Sequence, residues 1–257
     1  MSKPFEGLTA AVVVEARKMR LSRTVLGAGS ILILGVNALA SGFALAARSG
    51  NQAALAKLGP LASQGGWTGY LASAQQITAA GSVLAFGIVL AWMYGREFTD
   101  GTISGLFALP VRRPTVALAK LIVFAGWSFA VAVLLTATLV ALGLILGFGW
   151  PNSTELAGLG RIHPLIVLSA LVATPAAWSA TLGRGVLSGI GLTVGVMAGT
   201  QVAVLVGAGP WFPIAAPALW AIAPDTVPPA ALALTLGIPL TFGALTLWAW
   251  SRLQLDR

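Results

Sequence analysis

Apolar residues run for about twenty positions at a time through this chain, and polar residues collect between the runs. Six runs predict membrane-crossing helices, at about residues 24–47, 71–94, 121–148, 164–182, 186–207 and 230–250. Each matches the ~20 residues that a ~30 Å hydrocarbon core requires, and the third is long enough to tilt or to project beyond it. Ahead of them, residues 5–23 set Leu8, Val12 and Met19 near helical spacing among Glu6, Glu15, Arg17, Lys18, Arg20 and Arg23. Two readings fit: an amphipathic helix lying in the interface, or a plain basic tail before a span. Ala44-Leu45-Ala46 imitates a signal-peptidase site, but the preceding run exceeds a signal segment, so the first helix is expected to stay uncleaved.

The connections carry their own signals. Residues 48–68, with Asn51, Gln52, Lys57, Pro60 and Gly65-Gly66, read as a polar loop that has room for a short helix. Trp150-Pro151-Asn152-Ser153 ends the third run and a loop is expected to His163. Gly183-Arg184-Gly185 leaves room only for a tight turn, which pairs the fourth and fifth spans as a hairpin. In the fifth span Gly191, Gly195 and Gly199 recur every fourth position and predict a face for close helix packing. Residues 208–229 are apolar yet broken by Pro210, Pro213, Pro217, Pro224, Pro228 and Pro229, which predicts a re-entrant or interfacial segment packed on protein. Trp248, Trp250 and Arg252 close the sixth span as interfacial anchors. The expected fold is all-α and integral to the membrane: one membrane domain over 1–257, with six transmembrane helices and an amino-terminal interfacial helix.

Composition agrees and narrows the choice. Apolar residues make 57% of the chain, charged residues 9%, and mean hydropathy is +0.90. No stretch remains for a soluble catalytic domain, so any ATPase is expected on another chain. The net charge of +8 arises from 15 Lys and Arg against 7 Asp and Glu. Membrane topology explains it without nucleic acid, because cytoplasmic loops carry the excess. With both termini inside, Lys3, Arg17, Lys18, Arg20, Arg23, Arg96, Arg112, Arg113, Lys120, Arg184, Arg252 and Arg257 face the cytoplasm, and Arg48, Lys57 and Arg161 face out. A compact multi-pass chain of this polarity suits a bacterial inner membrane. The absence of cysteine excludes disulfides and thiolate metal sites.

Candidate chemistry is reached by elimination. There is no Gly-Lys pair, hence no phosphate-cradling loop of the Gly-x-x-x-x-Gly-Lys-Ser/Thr type. His163 alone builds no zinc site, so no metal is expected. Ser104, Ser188 and Thr193 have no histidine partner in a recognisable nucleophile motif, and an enzyme is not expected. None of the carboxylates Glu6, Glu15, Glu97, Asp100, Glu155, Asp225 and Asp256 falls near the middle of an apolar run, where a proton- or cation-driven transporter keeps one. Asn37, Gln75, Gln76, Thr200 and Gln201 do lie at membrane depth; they serve either helix-to-helix hydrogen bonding or a substrate path.

The charged insert between the second and third runs remains. It reads Gly95-Arg96-Glu97-Phe98-Thr99-Asp100-Gly101-Thr102-Ile103, then Leu109-Pro110-Val111-Arg112-Arg113-Pro114, then Lys120. It resembles the first cytoplasmic loop of ABC-2 type transporter permeases. Upstream, Glu15-x-x-Lys18-Met19-Arg20-x-Ser22-Arg23 is similar to the start of the bacitracin, lantibiotic and multidrug export permeases of that group. The resemblance implies a coupling helix seated in a groove of a separate ATP-binding cassette ATPase, which holds ATP and Mg, while this chain holds no cofactor. It implies a second permease, copy or paralogue, with the first and fifth spans at the dimer surface. A helix from about Arg96 to Leu109 would offer Glu97 and Asp100 to basic groups and Phe98, Ile103 and Leu106 to an apolar groove, around the Gly101-Thr102 pair. Arg112 and Arg113 would meet the partner or lipid headgroups, with Lys120 opening the next span. Arg184 would snorkel to the inner headgroups, and Arg48 would meet an anionic substrate at the outer mouth. The function implied is export of a hydrophobic or amphipathic antibiotic, drug or peptide by alternating access. The alternatives are a non-transporting sensor or scaffold that docks a cytosolic protein, and a secondary transporter.

Overall fold

A computed structural model describes residues 4–50, 64–108 and 110–254, with side chains from residue 7 onward. Asn51, Gln52, Lys57 and Pro60 of the expected polar loop, Leu109, and the terminal charges Lys3, Glu6, Asp256 and Arg257 lie outside the described residues or side chains. Among the described residues all regular structure is helical. Six helices are long and apolar enough to cross a membrane: Arg23–Arg48, Gly66–Thr99, Arg113–Ile145, Ser153–Leu182, Val186–Leu205 and Pro229–Ser251. The protein is an all-α integral membrane protein. An amino-terminal helix, Pro4–Arg20, precedes the first span and lies against the third. Its exposed face combines Val13 and Val14 with Arg17 and Arg20, and exposed Leu21 follows directly, the mixture of apolar and basic groups that suits an interfacial helix.

The helices overrun the apolar runs, and local chemistry says why. The second span covers 34 residues, about 50 Å at the α-helical rise, because nothing between Gly66 and Thr99 breaks it. It stops where Asp100 caps it and Gly101 takes φ 69°, a left-handed turn that glycine adopts without a Cβ clash. The single helix expected from Arg96 to Leu109 is therefore two pieces: the end of the second span, and a short loop helix, Ile103–Phe107. The third span starts early, at Arg113, with Pro114 in its first turn, so Lys120 lies about two turns inside rather than at the opening. Residues 153–163, expected as loop, are helical: Asn152 Oδ1 accepts the Glu155 N–H (3.0 Å) and Glu155 Oε2 accepts the Asn152 N–H (2.7 Å). That reciprocal cap starts the helix well before His163. The fourth span jogs at Ala173–Thr174 and resumes at Pro175. Between the fifth and sixth spans the proline-rich segment forms short turns and one two-turn helix, Ala216–Ile222.

The second span is the hub, packed against the first, fourth and fifth. Close approach depends on glycine at two points. A Cβ at Gly95 would lie 2.5 Å from the Val186 nitrogen, and one at Gly189 would lie 2.8 Å from the Ala176 carbonyl oxygen. The row of Gly191, Gly195 and Gly199 packs against no described helix of this chain: a Cβ at any of the three meets nothing within 4 Å. Those glycines face away from the chain's own bundle, because the fifth span turns its Gly189–Thr193 side inward. Trp250 also departs from expectation. It is fully buried, edge-on to Tyr94, with its indole N–H donated to Thr181 Oγ1 at 3.1 Å, so Trp248 alone of the pair is exposed.

Candidate functional site

Two ends of the bundle differ sharply. One gathers the amino-terminal helix, the insert, the 183–185 turn and the chain after Ser251; the other gathers residues 48–50, 146–152 and the proline-rich segment. At the opposite end Arg48 donates to the Leu146 carbonyl (2.6 Å) and stacks over Phe148 at 4.8 Å, so it is occupied within the chain.

At the first end the structure brings four charges together. The amino-terminal helix buries Ala11, Glu15 and Met19 at successive turns, placing one carboxylate on an otherwise apolar face. Glu97 enters from the end of the second span and Lys120 from the third. Lys120 Nζ lies 2.8 Å from Glu15 Oε2 and 2.8 Å from Glu97 Oε1. Lys18 Nζ lies 2.8 Å from Glu15 Oε1 and 3.0 Å from Glu97 Oε1. Thr102 donates its hydroxyl to Glu97 Oε2 at 2.6 Å, which brings the insert into the same cluster. Glu15, Glu97 and Lys120 are buried, at 4%, 2% and 1% exposure. Two carboxylates and two ammoniums cancel, which is what makes burial tolerable; losing any one would strand a charge. Burial works against the Lys18 ammonium, but its hydrogen bond to Glu15 and the charges of Glu15 and Glu97 outweigh it. Its pKa accordingly stands above the ordinary 10.5. One turn along the second span, Tyr94 donates to the Ala117 carbonyl at 2.6 Å and touches Trp250, extending the tie to the sixth span.

The insert is thus divided. Glu97 points inward to cations of its own chain, and Leu106 is buried, while Phe98 and Ile103 are half-buried. Arg96 stacks over Trp92 at 4.5 Å and reaches Asp100 at 3.5 Å. The outward surface is Asp100, Gly101, Ser104, Gly105, Phe107, Ala108 and Pro110. Arg113 covers the Phe107 ring at 4.5 Å and donates to the Leu253 carbonyl, and Arg112 caps the third span.

The polar groups at membrane depth separate as well. Asn37 Nδ2 donates to Thr138 Oγ1 and to the Ile33 carbonyl, both at 2.8 Å. Gln75 Nε2 donates to the Gly158 carbonyl at 3.1 Å. Both therefore join helices. Gln76, Thr200 and Gln201 instead line a cavity of about 280 Å³ between the second span, the fifth span and the Ala216–Ile222 helix. Its other walls, among them Met197, Ile214 and Leu219, are apolar.

The site thus sits at one end of a six-span helical membrane bundle, with the charged insert fixed to that end. The chain belongs to the ABC-2 transporter family. The family model described as "ABC-2 family transporter protein" matches residues 12–199, a stretch that contains Glu15, Lys18, Lys120 and the whole insert. Permeases of this family generally work with an ATP-binding cassette ATPase. No curated protein matches the chain.

Sequence reading missed the grouping, though not all of its members. Glu97 and Lys120 stand out in the insert, whereas Glu15 and Lys18 are read only within the amino-terminal motif and, for Lys18, in the count of cytoplasmic charges. The usable clue was local: a carboxylate on the buried stripe of an amphipathic helix needs a cation that its own helix cannot fully supply.

Proposed function

We propose that this chain is the membrane subunit of an ATP-driven exporter of a hydrophobic or amphipathic compound. It would work in a bacterial inner membrane with both termini and the insert in the cytoplasm. A separate cassette ATPase holds ATP and Mg and grips the outward surface of residues 100–110. A second permease, copy or paralogue, completes the assembly, and the uncovered glycine row of the fifth span leaves that helix open to it. The observation that carries this reading is the ionic cluster of Glu15, Lys18, Glu97 and Lys120. Through Thr102 and Glu97, displacement of the short loop helix is passed to the second and third spans instead of being lost in loop motion. ATP binding draws the ATPases together, the insert moves, and the spans lean as levers. The cavity between the second and fifth spans is the segment of the substrate path within this chain, with Gln76, Thr200 and Gln201 offering hydrogen bonds to an otherwise apolar guest.

The test is co-purification with a cassette ATPase, expected in a neighbouring reading frame. Phe107→Asp places a charge on the outward surface without touching the ionic cluster. The ATPase is expected to fall away, and its stimulation with it, while the thermal midpoint of the permease stays put. Retention of a fully stimulated ATPase by that variant sinks the coupling assignment.

A further inference from the structure

A small cavity of about 140 Å³ opens at the end of the bundle opposite the insert, where the fourth span begins beside the second. Glu155 and Arg161 line it together, with Thr68, Gln75, Gly158 and Ile222 among its other walls. We propose that it holds the head of an ethanolamine phospholipid, with the ammonium on Glu155 and the phosphate on Arg161.

The two charges share the cavity without meeting. Glu155, Gly158 and Arg161 fall at every third position of one helix, and so on one side of it. Glu155 and Arg161 are separated by about 9 Å along the axis at the α-helical rise. They form no ion pair, and the ion pairs among the described residues all lie at the other end of the bundle. The Arg161 side chain leans back along the helix toward Glu155, since a Cβ at Gly158 would lie 3.9 Å from its Nη2. Each charge is held by one contact that leaves the rest of the group for a ligand. Glu155 Oε2 accepts the Asn152 N–H at 2.7 Å, and Arg161 Nε donates to the Ala221 carbonyl at 3.3 Å. Glu155 Oε1 and both terminal nitrogens of Arg161 have no partner among the described residues. The fold thus fixes both groups before any guest arrives.

Opposite charges fixed in one cavity but held apart suit a guest that carries both signs, because a lone anion would face Glu155 and a lone cation would face Arg161. The guanidinium fork matches phosphate oxygens. The carboxylate asks for N–H donors, which a primary ammonium has and a trimethylammonium lacks. No aromatic ring among the described residues lines the cavity, so the cage that a quaternary ammonium favours is missing. Spacing then selects among zwitterions. Ethanolamine phosphate sets its charges apart by two carbons and an oxygen, an α-amino acid by a single carbon, and two protein charges too distant to pair fit the longer. The setting is also that of a headgroup. Trp150 and Leu156, which flank Glu155 in the chain, are exposed at 83% and 54%, so acyl chains have an apolar surface beside the cavity. Ile222 lines both this cavity and the larger one between the second and fifth spans, and Arg161 already holds Ala221. A bound head would therefore brace the Ala216–Ile222 helix from one side.

The full-length protein in detergent is offered equal amounts of phosphatidylethanolamine, phosphatidylcholine and phosphatidylglycerol, and retained lipid is read by native mass spectrometry. Wild type is expected to favour phosphatidylethanolamine over either competitor by about tenfold, the fold-change that a lost charged hydrogen bond gives. Glu155→Gln keeps a side chain that completes the same helix cap, so the thermal midpoint should hold while the preference over phosphatidylcholine falls to near parity. Arg161→Gln should lower retention of phosphatidylethanolamine by about tenfold. Arg17→Gln, at the other end of the bundle, should behave as wild type. Millimolar glycine or ethanolamine phosphate should not displace the lipid. Parity in wild type, or wild-type behaviour in Glu155→Gln or Arg161→Gln, overturns the site. Displacement by either soluble zwitterion overturns the lipid as its ligand. The permease alone suffices for the measurement, so neither result depends on the ATPase or on transport.

Discussion

Lys120 is the residue on which the base of the bundle turns. It is a buried ammonium whose two carboxylate partners come from helices far apart in the chain. Lys120→Met removes one cation and leaves two buried carboxylates to share the half-exposed Lys18. By the scale of broken buried ion pairs, the loss is expected to be about 3–5 kcal/mol, read as a fall in the thermal midpoint in detergent. Glu15→Gln, Glu97→Gln and Lys120→Met combined remove opposite charges together and should cost less than Lys120→Met alone. A combined variant as damaged as the single one would mean that the cluster acts by shape instead of by charge. Residue chemistry was only half legible beforehand. The polarity of Glu97 identified it as special, but the basic groups expected to meet it were those of a partner ATPase and not those of its own chain. Its cations lie 79 and 23 positions away, and no local pattern discloses such a meeting.

At the scale of elements, the six apolar runs predicted six helices because bilayer thickness and the cost of unpaired backbone leave few other solutions. Their ends were less legible. The second span continues into the insert because Arg96–Thr99 contains nothing that stops a helix, and the fourth begins early because Asn152 and Glu155 cap one another. Glycine spacing marked a face without naming its neighbour. A row at four-residue intervals marks a smooth stripe, but the sequence does not say whether the neighbour is in the same chain. Gly189→Leu is expected to destabilise the isolated permease by about 1–3 kcal/mol or more, since its Cβ would collide with Ala176 and Ala91. Gly195→Leu meets open space and should leave the midpoint of the isolated chain unchanged. Equal loss from both would show that the Gly195 face is packed as tightly as the Gly189 face.

Over the whole molecule, the described carboxylates gather at the ends of the bundle, and the cavity between the second and fifth spans carries amides and a hydroxyl but no ionisable group. Nothing there offers a proton or cation a site whose loading would drive a cycle. If the proposed ATP-driven export holds, collapsing the proton gradient at constant ATP should leave transport by the reconstituted assembly intact; arrest would favour a gradient-driven mechanism instead. This global character was the most legible part of the chain, because it follows from where charges are permitted and not from which residues touch.

The ionic cluster also implies an order of biogenesis. Glu15 meets Lys18 within one turn as soon as the amino-terminal helix forms, yet its other partner, Lys120, is 105 positions downstream. Until the third span has left the ribosome and entered the bilayer, half of Glu15 has no mate, and Glu97 waits beside it. The amino-terminal helix thus has its final seat only after half the protein has been made, and a chain truncated before Lys120 should leave that helix recognisable to the quality-control proteases of the membrane.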